Sequence, residues 1–165
     1  MSDISVCNVL DLSRFEENSF DVVLCMGAMY HLLSPEEKQK AIMECTHICK
    51  SNGFVVLSYL NKYALIAAEI LPGLENIEDI LGHADDPNSI FQSTTPGEMI
   101  RLSEASGLNI LYNLGIDGVS FILRDKVNLA DDKNFDKWME FIYETCEDQS
   151  AVGYSMHGLL IGRKQ

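Results

Sequence analysis

The sequence predicts an α/β domain: a mostly parallel sheet with flanking helices and an antiparallel last strand. Three observations carry that expectation. An apolar run at Phe20 to Met26 is followed by a capped helix, a glycine and a second apolar run at Phe54 to Leu60. That order of strand, helix, glycine and strand is the grammar of a crossover between parallel strands. Helix, glycine and strand then recur from Pro96 to Ile116, and a length of 165 residues suits a single domain of ~100–200 residues.

The elements follow in order. Phe20, Val22, Val23, Leu24, Cys25 and Met26 are interrupted only by Asp21, which reads as a strand buried on both faces. Ser34-Pro35-Glu36-Glu37 is a capping box. Serine stands at the N-cap, proline at the first helical position and glutamate at the third, so two side chains satisfy open backbone donors. The helix it opens is predicted from Pro35 to about Lys50, with Ala41, Ile42, Cys45, Ile48 and Cys49 forming one apolar stripe. Asn52-Gly53 is expected to stop it. A helix from Lys62 to Leu71 begins a helical or irregular insertion covering about 62–94. Thr95-Pro96-Gly97-Glu98 opens another capped helix, which leads through Gly107 into a strand at Leu108 to Ile116. The aromatic and aliphatic spacing from Asp132 to Cys146 predicts an amphipathic helix, and Tyr154 to Ile161 a last strand. The whole of 1–165 is taken as one domain.

Twelve basic against twenty-five acidic residues give a net charge of −13. Nucleic acid is held mainly by Lys and Arg, so such a chain is not expected to bind it. Between Lys62 and Arg101 there is no Lys or Arg, while Glu69, Glu75, Glu78, Asp79, Asp85, Asp86 and Glu98 fall inside that stretch. The acidic run is expected to form a solvated face, with a lid over a substrate as the alternative. No apolar stretch reaches the ~18 residues that cross a bilayer, and the start Met1-Ser2-Asp3-Ile4-Ser5 has no signal-peptide character. A cytoplasmic protein with no membrane partner is expected. The five cysteines, Cys7, Cys25, Cys45, Cys49 and Cys146, show no framework spacing and read as reduced thiols. Cys45, His47 and Cys49 do not share one helix face, so no metal site is expected.

In an open parallel sheet, ligands bind beyond the carboxyl ends of the strands. The residues there are polar and aromatic: Gly27, Ala28, Met29, Tyr30 and His31 after the first strand, and Tyr59, Asn61, Lys62 and Tyr63 after the second. Asp117 and Gly118 follow the third. An antiparallel last strand brings Tyr154 to His157 to the same rim. On this reading Tyr30, Tyr59, Asn61, Tyr63 and His157 are candidate substrate-binding residues. His31, an imidazole on the pocket rim that could take a proton, is the candidate catalytic base; a packing role is the alternative. Ser58, Asp117 and His157 stand in the order of an α/β-hydrolase triad, but the Gly-x-Ser-x-Gly elbow is missing around Ser58, which argues against hydrolysis.

The run from Phe15 to Ala64 resembles the second half of a class I S-adenosylmethionine-dependent methyltransferase, a Rossmann-like fold. The resemblance is carried by a Phe-Asp strand ending in Gly27-Ala28-Met29-Tyr30-His31-Leu32, an acidic-capped helix, and a Lys50-Ser51-Asn52-Gly53 turn into the next strand. The ending Ser155 to Lys164 is similar to the last strand of the same group. The resemblance implies methyl transfer from S-adenosylmethionine to a small-molecule acceptor. It implies that Asn8 stands where the family's acidic residue accepts the adenine amino group, with the Val9 backbone beside the ring. Met26, Gly27 and Ala28 would hold the methionine part, and Tyr30 and His31 would line the reaction pocket.

The family's glycine-rich loop belongs upstream of Ser5, and no Gly-x-Gly occurs in the sequence. The chain is therefore expected to be the carboxyl-terminal part of a longer, truncated methyltransferase. Its open sheet edge should then be covered by a homodimer partner or another chain. The competing function is a catalytically silent fragment that serves as a binding or dimerisation module.

Overall fold

The computed structural model describes residues 4–83, 86 and 88–165; Met1 to Asp3 and Asp85 of the acidic run lie outside the described residues. Four strands form one sheet: β1 (Phe20–Cys25), β2 (Cys49–Leu60), β3 (Leu108–Gly115) and β4 (His157–Lys164). Their order is β1-β2-β4-β3. β1 and β2 pair in parallel, while β4 runs antiparallel between β2 and β3. The mostly parallel expectation therefore holds for the direction of β1, β2 and β3 but not for the pairings. The last strand lies inside the sheet, so β3 never touches β2. A reversed strand between two parallel ones needs no crossover helix of its own.

α1 (Pro35–Ile48) starts as its capping box predicts, with the Ser34 hydroxyl accepting the Glu37 N–H at 3.2 Å and Glu37 Oε2 accepting the Leu33 N–H at 2.7 Å. It ends earlier than predicted. Cys49 is already extended and pairs with Phe20, and Asn52, at φ 65°, sits inside β2 in the irregular stretch before Phe54 pairs with Val22. Asn52-Gly53 thus shapes the strand's entry and does not stop the helix. A Cβ on Gly53 would stand 2.7 Å from the Asp21 carbonyl oxygen, a close approach only glycine allows.

α4 (Pro96–Ala105) also follows its capping box, with Thr95 accepting the Glu98 N–H at 3.2 Å. α1 and α4 share one face of the sheet, and Ile42, Cys45, Val55, Leu57, Met99 and Leu160 fill the core between them. Burial of β1 on both faces is not observed. Cys25 is buried and Val23 packs on the core, but Phe20, Val22 and Leu24 point away and are 39, 50 and 65% exposed. Among the described residues nothing pairs with the far edge of β1. An apolar strand on such an edge keeps its second face in water because no layer covers it.

The insertion contains α2 (Lys62–Ile70) and the solvent-facing α3 (Ile77–His83). Its returning arm docks on the sheet: Thr94 bridges to Asn61, and the Gln92 N–H donates to the Tyr30 carbonyl. Beyond β3 come α5 (Arg124–Asn128), α6 (Asp132–Thr145) and α7 (Gln149–Val152). α6 is amphipathic as predicted, yet only Ile142 is buried on it. The last strand begins at His157, three residues later than predicted, because Gln149–Val152 and the turn after it occupy the approach.

Candidate functional site at the carboxyl rim

Gly27 ends β1 in a left-handed conformation, φ 100°. The chain then coils into a short 3-10 turn, Ala28–His31, with Met29 buried beneath it. The turn is locked from below by Ser58. This buried hydroxyl accepts the Gly27 N–H and the Tyr30 hydroxyl, both at 2.9 Å. Ser58 lies within β2, away from any turn, and both of these contacts draw on its oxygen. That removes the hydrolase reading.

The amino-terminal segment packs beside this turn. The Leu12 N–H donates to Glu44 Oε2 of α1 at 2.8 Å, and a local turn forms in which Asn8 Oδ1 accepts the Leu10 N–H at 3.0 Å. An open cleft of about 590 Å³ results, lined by Asn8, Val9, Ala28, His31, Leu32 and Leu33 among others. Three predicted cofactor-side residues, Asn8, Val9 and Ala28, are thus brought together with the candidate base His31. Met26 stands 57% exposed outside this cleft, and the Gly27 N–H is already committed to Ser58.

His31 is held from the insertion. Its Nδ1 lies 3.1 Å from the Ile90 carbonyl, and its ring packs on Phe91 with centroids 5.5 Å apart. A carbonyl only accepts, so Nδ1 carries the hydrogen and Nε2 is left with a lone pair. The returning arm of the insertion therefore does cover part of the rim, while α3 forms the solvated acidic face.

A second histidine stands across Tyr30, whose ring centroid is 6.5 Å from those of both His31 and His157. His157 Nδ1 lies 2.6 Å from Asp117 Oδ2. The other carboxylate oxygen accepts the His157 backbone N–H at 3.1 Å and the Ser155 hydroxyl. Ser155 is fully buried and accepts the N–H groups of Asp117 and Gly118, each at 3.0 Å. Sequence placed Asp117 and His157 on one rim but weighed Asp117 only as a member of a hydrolase triad with Ser58, and did not single out Ser155. The signal available was position alone: Asp117 follows β3 and His157 begins the antiparallel β4.

Two predicted pocket residues are corrected. Tyr59 is 1% exposed and donates its hydroxyl to Asn113 at 2.9 Å; burial raises its ionisation from 10.0 to about 12. Asn61 is equally buried and clamps the Val152 and Gly153 carbonyls at 3.1 and 3.0 Å. Side chains alternate along a strand, so Tyr59 points into the core layer while its neighbour Ser58 points to the rim turn. Tyr63 is 64% exposed on the first turn of α2. Among the described residues no group of three or more His, Cys, Asp or Glu gathers at metal-binding spacing, and no helix is long and apolar enough to cross a membrane.

The strand order, the antiparallel strand next to the sheet's end and the carboxyl-rim cleft define a class I methyltransferase fold. Solved structures agree. A methyltransferase dependent on S-adenosylmethionine (SAM) from Methanosarcina mazei superposes with a TM-score of 0.56 at 16% identity, over 97% of this chain and 66% of that one. A SAM-dependent methyltransferase from Archaeoglobus fulgidus gives 0.57 at 15%, over 96% and 66%. Residues 2–57 match the methyltransferase domain family. Two ubiquinone biosynthesis O-methyltransferases, from Neisseria meningitidis serogroups C and A, are each 29% identical over 114 residues, which is 66% of this chain. That stretch is 43% of each relative's length, so the chain matches less than half of those proteins. The segment 2–57 is similar to the methyltransferase domain family, and the chain has the fold of SAM-dependent methyltransferases.

Proposed function

We propose that this chain serves methyl transfer from S-adenosylmethionine to a small-molecule acceptor. The observation that carries the reading is the cleft joining Asn8, Val9 and Ala28 to His31, within the segment that matches the methyltransferase domain. The cleft fits the group: about 590 Å³ lies in the ~300–1,000 Å³ range of small-molecule sites. The Asn8 amide oxygen, engaged only by Leu10 N–H among the described contacts, has a second lone pair for an exocyclic amine. Asn8 and Val9 would take the adenine, with Met26, Gly27 and Ala28 beside the methionine part. Bound there, the cofactor supplies an electrophilic methyl group.

The chain's own residues bind and orient. Tyr30 forms the wall between the two histidines, Tyr63 and the returning arm of the insertion border the acceptor side, and His31 or His157 takes a proton. The 29% identity to O-methyltransferases favours this reading over a silent binding module. The setting is proposed to be cytoplasmic, in keeping with the five unpaired cysteines. The open edge of β1, with Val22 and Leu24 half-exposed or more, is proposed to pair with a second copy of this chain; a purely monomeric species in light scattering overturns that part.

Calorimetric titration with S-adenosylhomocysteine tests the main reading. Micromolar binding that weakens on Ala28→Trp supports it, since the larger side chain fills the cleft. Absence of binding overturns it.

A further inference from the structure

The two histidines that flank Tyr30 are built differently, and the difference bears on the acceptor. His31 leans on a carbonyl of a surface arm. His157 leans on a carboxylate held at both oxygens: Oδ2 by the ring, Oδ1 by a backbone N–H and by Ser155. The carboxylate therefore cannot turn away. It fixes the hydrogen on Nδ1, aims the lone pair of Nε2 outward, and stabilises the ring when a proton arrives there. A charged acceptor does this about twice as strongly as a neutral carbonyl.

Resting on the methyltransferase reading above, we infer that Asp117 and His157 form a proton-accepting pair for a hydroxyl-bearing acceptor, with His157 as the base and Asp117 as its positioning residue. A neutral amine can attack with its lone pair and shed its proton afterwards, and a thiol ionises readily by itself. A hydroxyl has neither property, so its attack gains most from a base that takes the proton as the new bond forms. The acceptor oxygen forms a bond to the methyl carbon of a sulfonium donor, the carbon–sulfur bond breaks with its electron pair left on sulfur, and the O–H proton passes to His157 Nε2. The imidazolium then returns that proton to water.

The surroundings suit the role. Tyr30 faces His157 edge-on, but its hydroxyl is committed to Ser58, so it walls the site without competing for the proton. Asp117 and Tyr30 are the titratable groups facing His157 among the described residues. Met156, the preceding residue, lines a cleft of about 450 Å³ together with Ala68, Leu71 and Phe121 and with the charged Arg124, Asp125 and Lys126. That cleft has room for an acceptor body with apolar and polar parts.

The test uses the full chain with S-adenosylmethionine and a panel of catechol, 4-hydroxybenzoate and benzylamine. His157→Gln is expected to keep S-adenosylhomocysteine binding but to lower the rate of hydroxyl methylation by about 10²–10⁴-fold, with partial rescue by added imidazole. Nitrogen-15 NMR of the histidine rings gives a readout independent of turnover: Asp117→Asn should move the His157 ring hydrogen from Nδ1 toward Nε2, the tautomer change expected when a carboxylate partner becomes an amide. If Asp117→Asn does not fold, the imidazole rescue of His157→Gln decides. Hydroxyl methylation unchanged in His157→Gln, methylation confined to benzylamine, or no methylation of either hydroxyl probe while S-adenosylhomocysteine binds would each overturn the inference alone. Loss of S-adenosylhomocysteine binding in the parent chain instead overturns the underlying reading, and a His157 tautomer left unchanged in Asp117→Asn overturns the pair itself.

Discussion

Both sides of the rim present a histidine with Nδ1 anchored and Nε2 free, yet they rest on unlike foundations. His31 sits at the end of a four-residue 3-10 turn and is steadied by the exposed ring of Phe91 and the carbonyl of Ile90. His157 is the first residue of β4, one of the two inner strands paired on both sides, opposite Leu60 of β2. Loop-borne groups move with little resistance, whereas a group rooted in a doubly paired strand moves only when the sheet does. The same side chain therefore suits a cofactor-side wall at one position and a fixed base at the other.

The largest expected effect breaks the rigid side. A Cβ at Gly158 would stand 2.0 Å from the Tyr59 ring, which lies over that glycine across the β2–β4 pair. Tyr59 is tied to Asn113 and cannot swing clear. Gly158→Ala should destabilise by about 3 kcal/mol, read from the urea midpoint; a loss below ~1 kcal/mol would mean that the β4 side is as yielding as the His31 side.

Next is Tyr59 itself. Its folded ionisation is raised from 10.0 to about 12, so the phenol contributes stability that is fully present below pH 10 and is lost as pH rises through about 12. Roughly 2–3 kcal/mol should disappear across that window, and Tyr59→Phe should abolish the alkaline loss. The substitution also leaves the buried Asn113 oxygen without its donor, which costs about 1–3 kcal/mol at neutral pH. A Tyr59→Phe chain as sensitive to alkali as the parent contradicts this account.

Two smaller changes sharpen the cofactor side. Asn8→Asp places a charged acceptor at the adenine position, and charge-assisted hydrogen bonds are the stronger kind. S-adenosylhomocysteine binding should tighten about fivefold, or about 1 kcal/mol; weaker binding would place the adenine elsewhere. Phe91→Ala removes a ring that is 56% exposed, so stability should fall by only ~0.5 kcal/mol, while the His31 imidazole NMR signals broaden as its support is lost. An equal broadening of His157 would show that the two sides move together.

Local rules were a good guide wherever a short stretch decides its own structure. Both N-caps form as read, because Ser34 and Thr95 accept the N–H groups three residues on regardless of the rest of the fold, while the reciprocal glutamates reach the residue before the cap, Glu37 the Leu33 N–H and Glu98 the Thr94 hydroxyl. Glycine and strand after each helix likewise announced the sheet. The same rules failed where two distant stretches meet. Asn52-Gly53 carries a helix-stop signal, yet Cys49 leaves the helix first because it pairs with Phe20. Phe20 to Met26 is apolar on both faces, but only neighbouring layers decide which face is wetted. Tyr59 and His157 are both aromatic residues at strand ends, and a one-residue difference in register sends one into the core and the other to the rim.

The sequence by itself determined the α/β class, the helix starts, the rim positions of Tyr30, His31, Asp117 and His157, and the methyltransferase-like order of motifs. These depend on periodicity and on contacts within a few residues. Only the tertiary structure decided that β4 lies between β2 and β3, that Ser58 braces the turn after β1, and that Asp117 grips His157 with Ser155 behind it. The Ser58 and Asp117 contacts join residues 28 to 40 positions apart, and the β2–β4 pairing joins residues further apart still. Chain closure over such distances is set by the packing of the whole sheet, which no local pattern specifies.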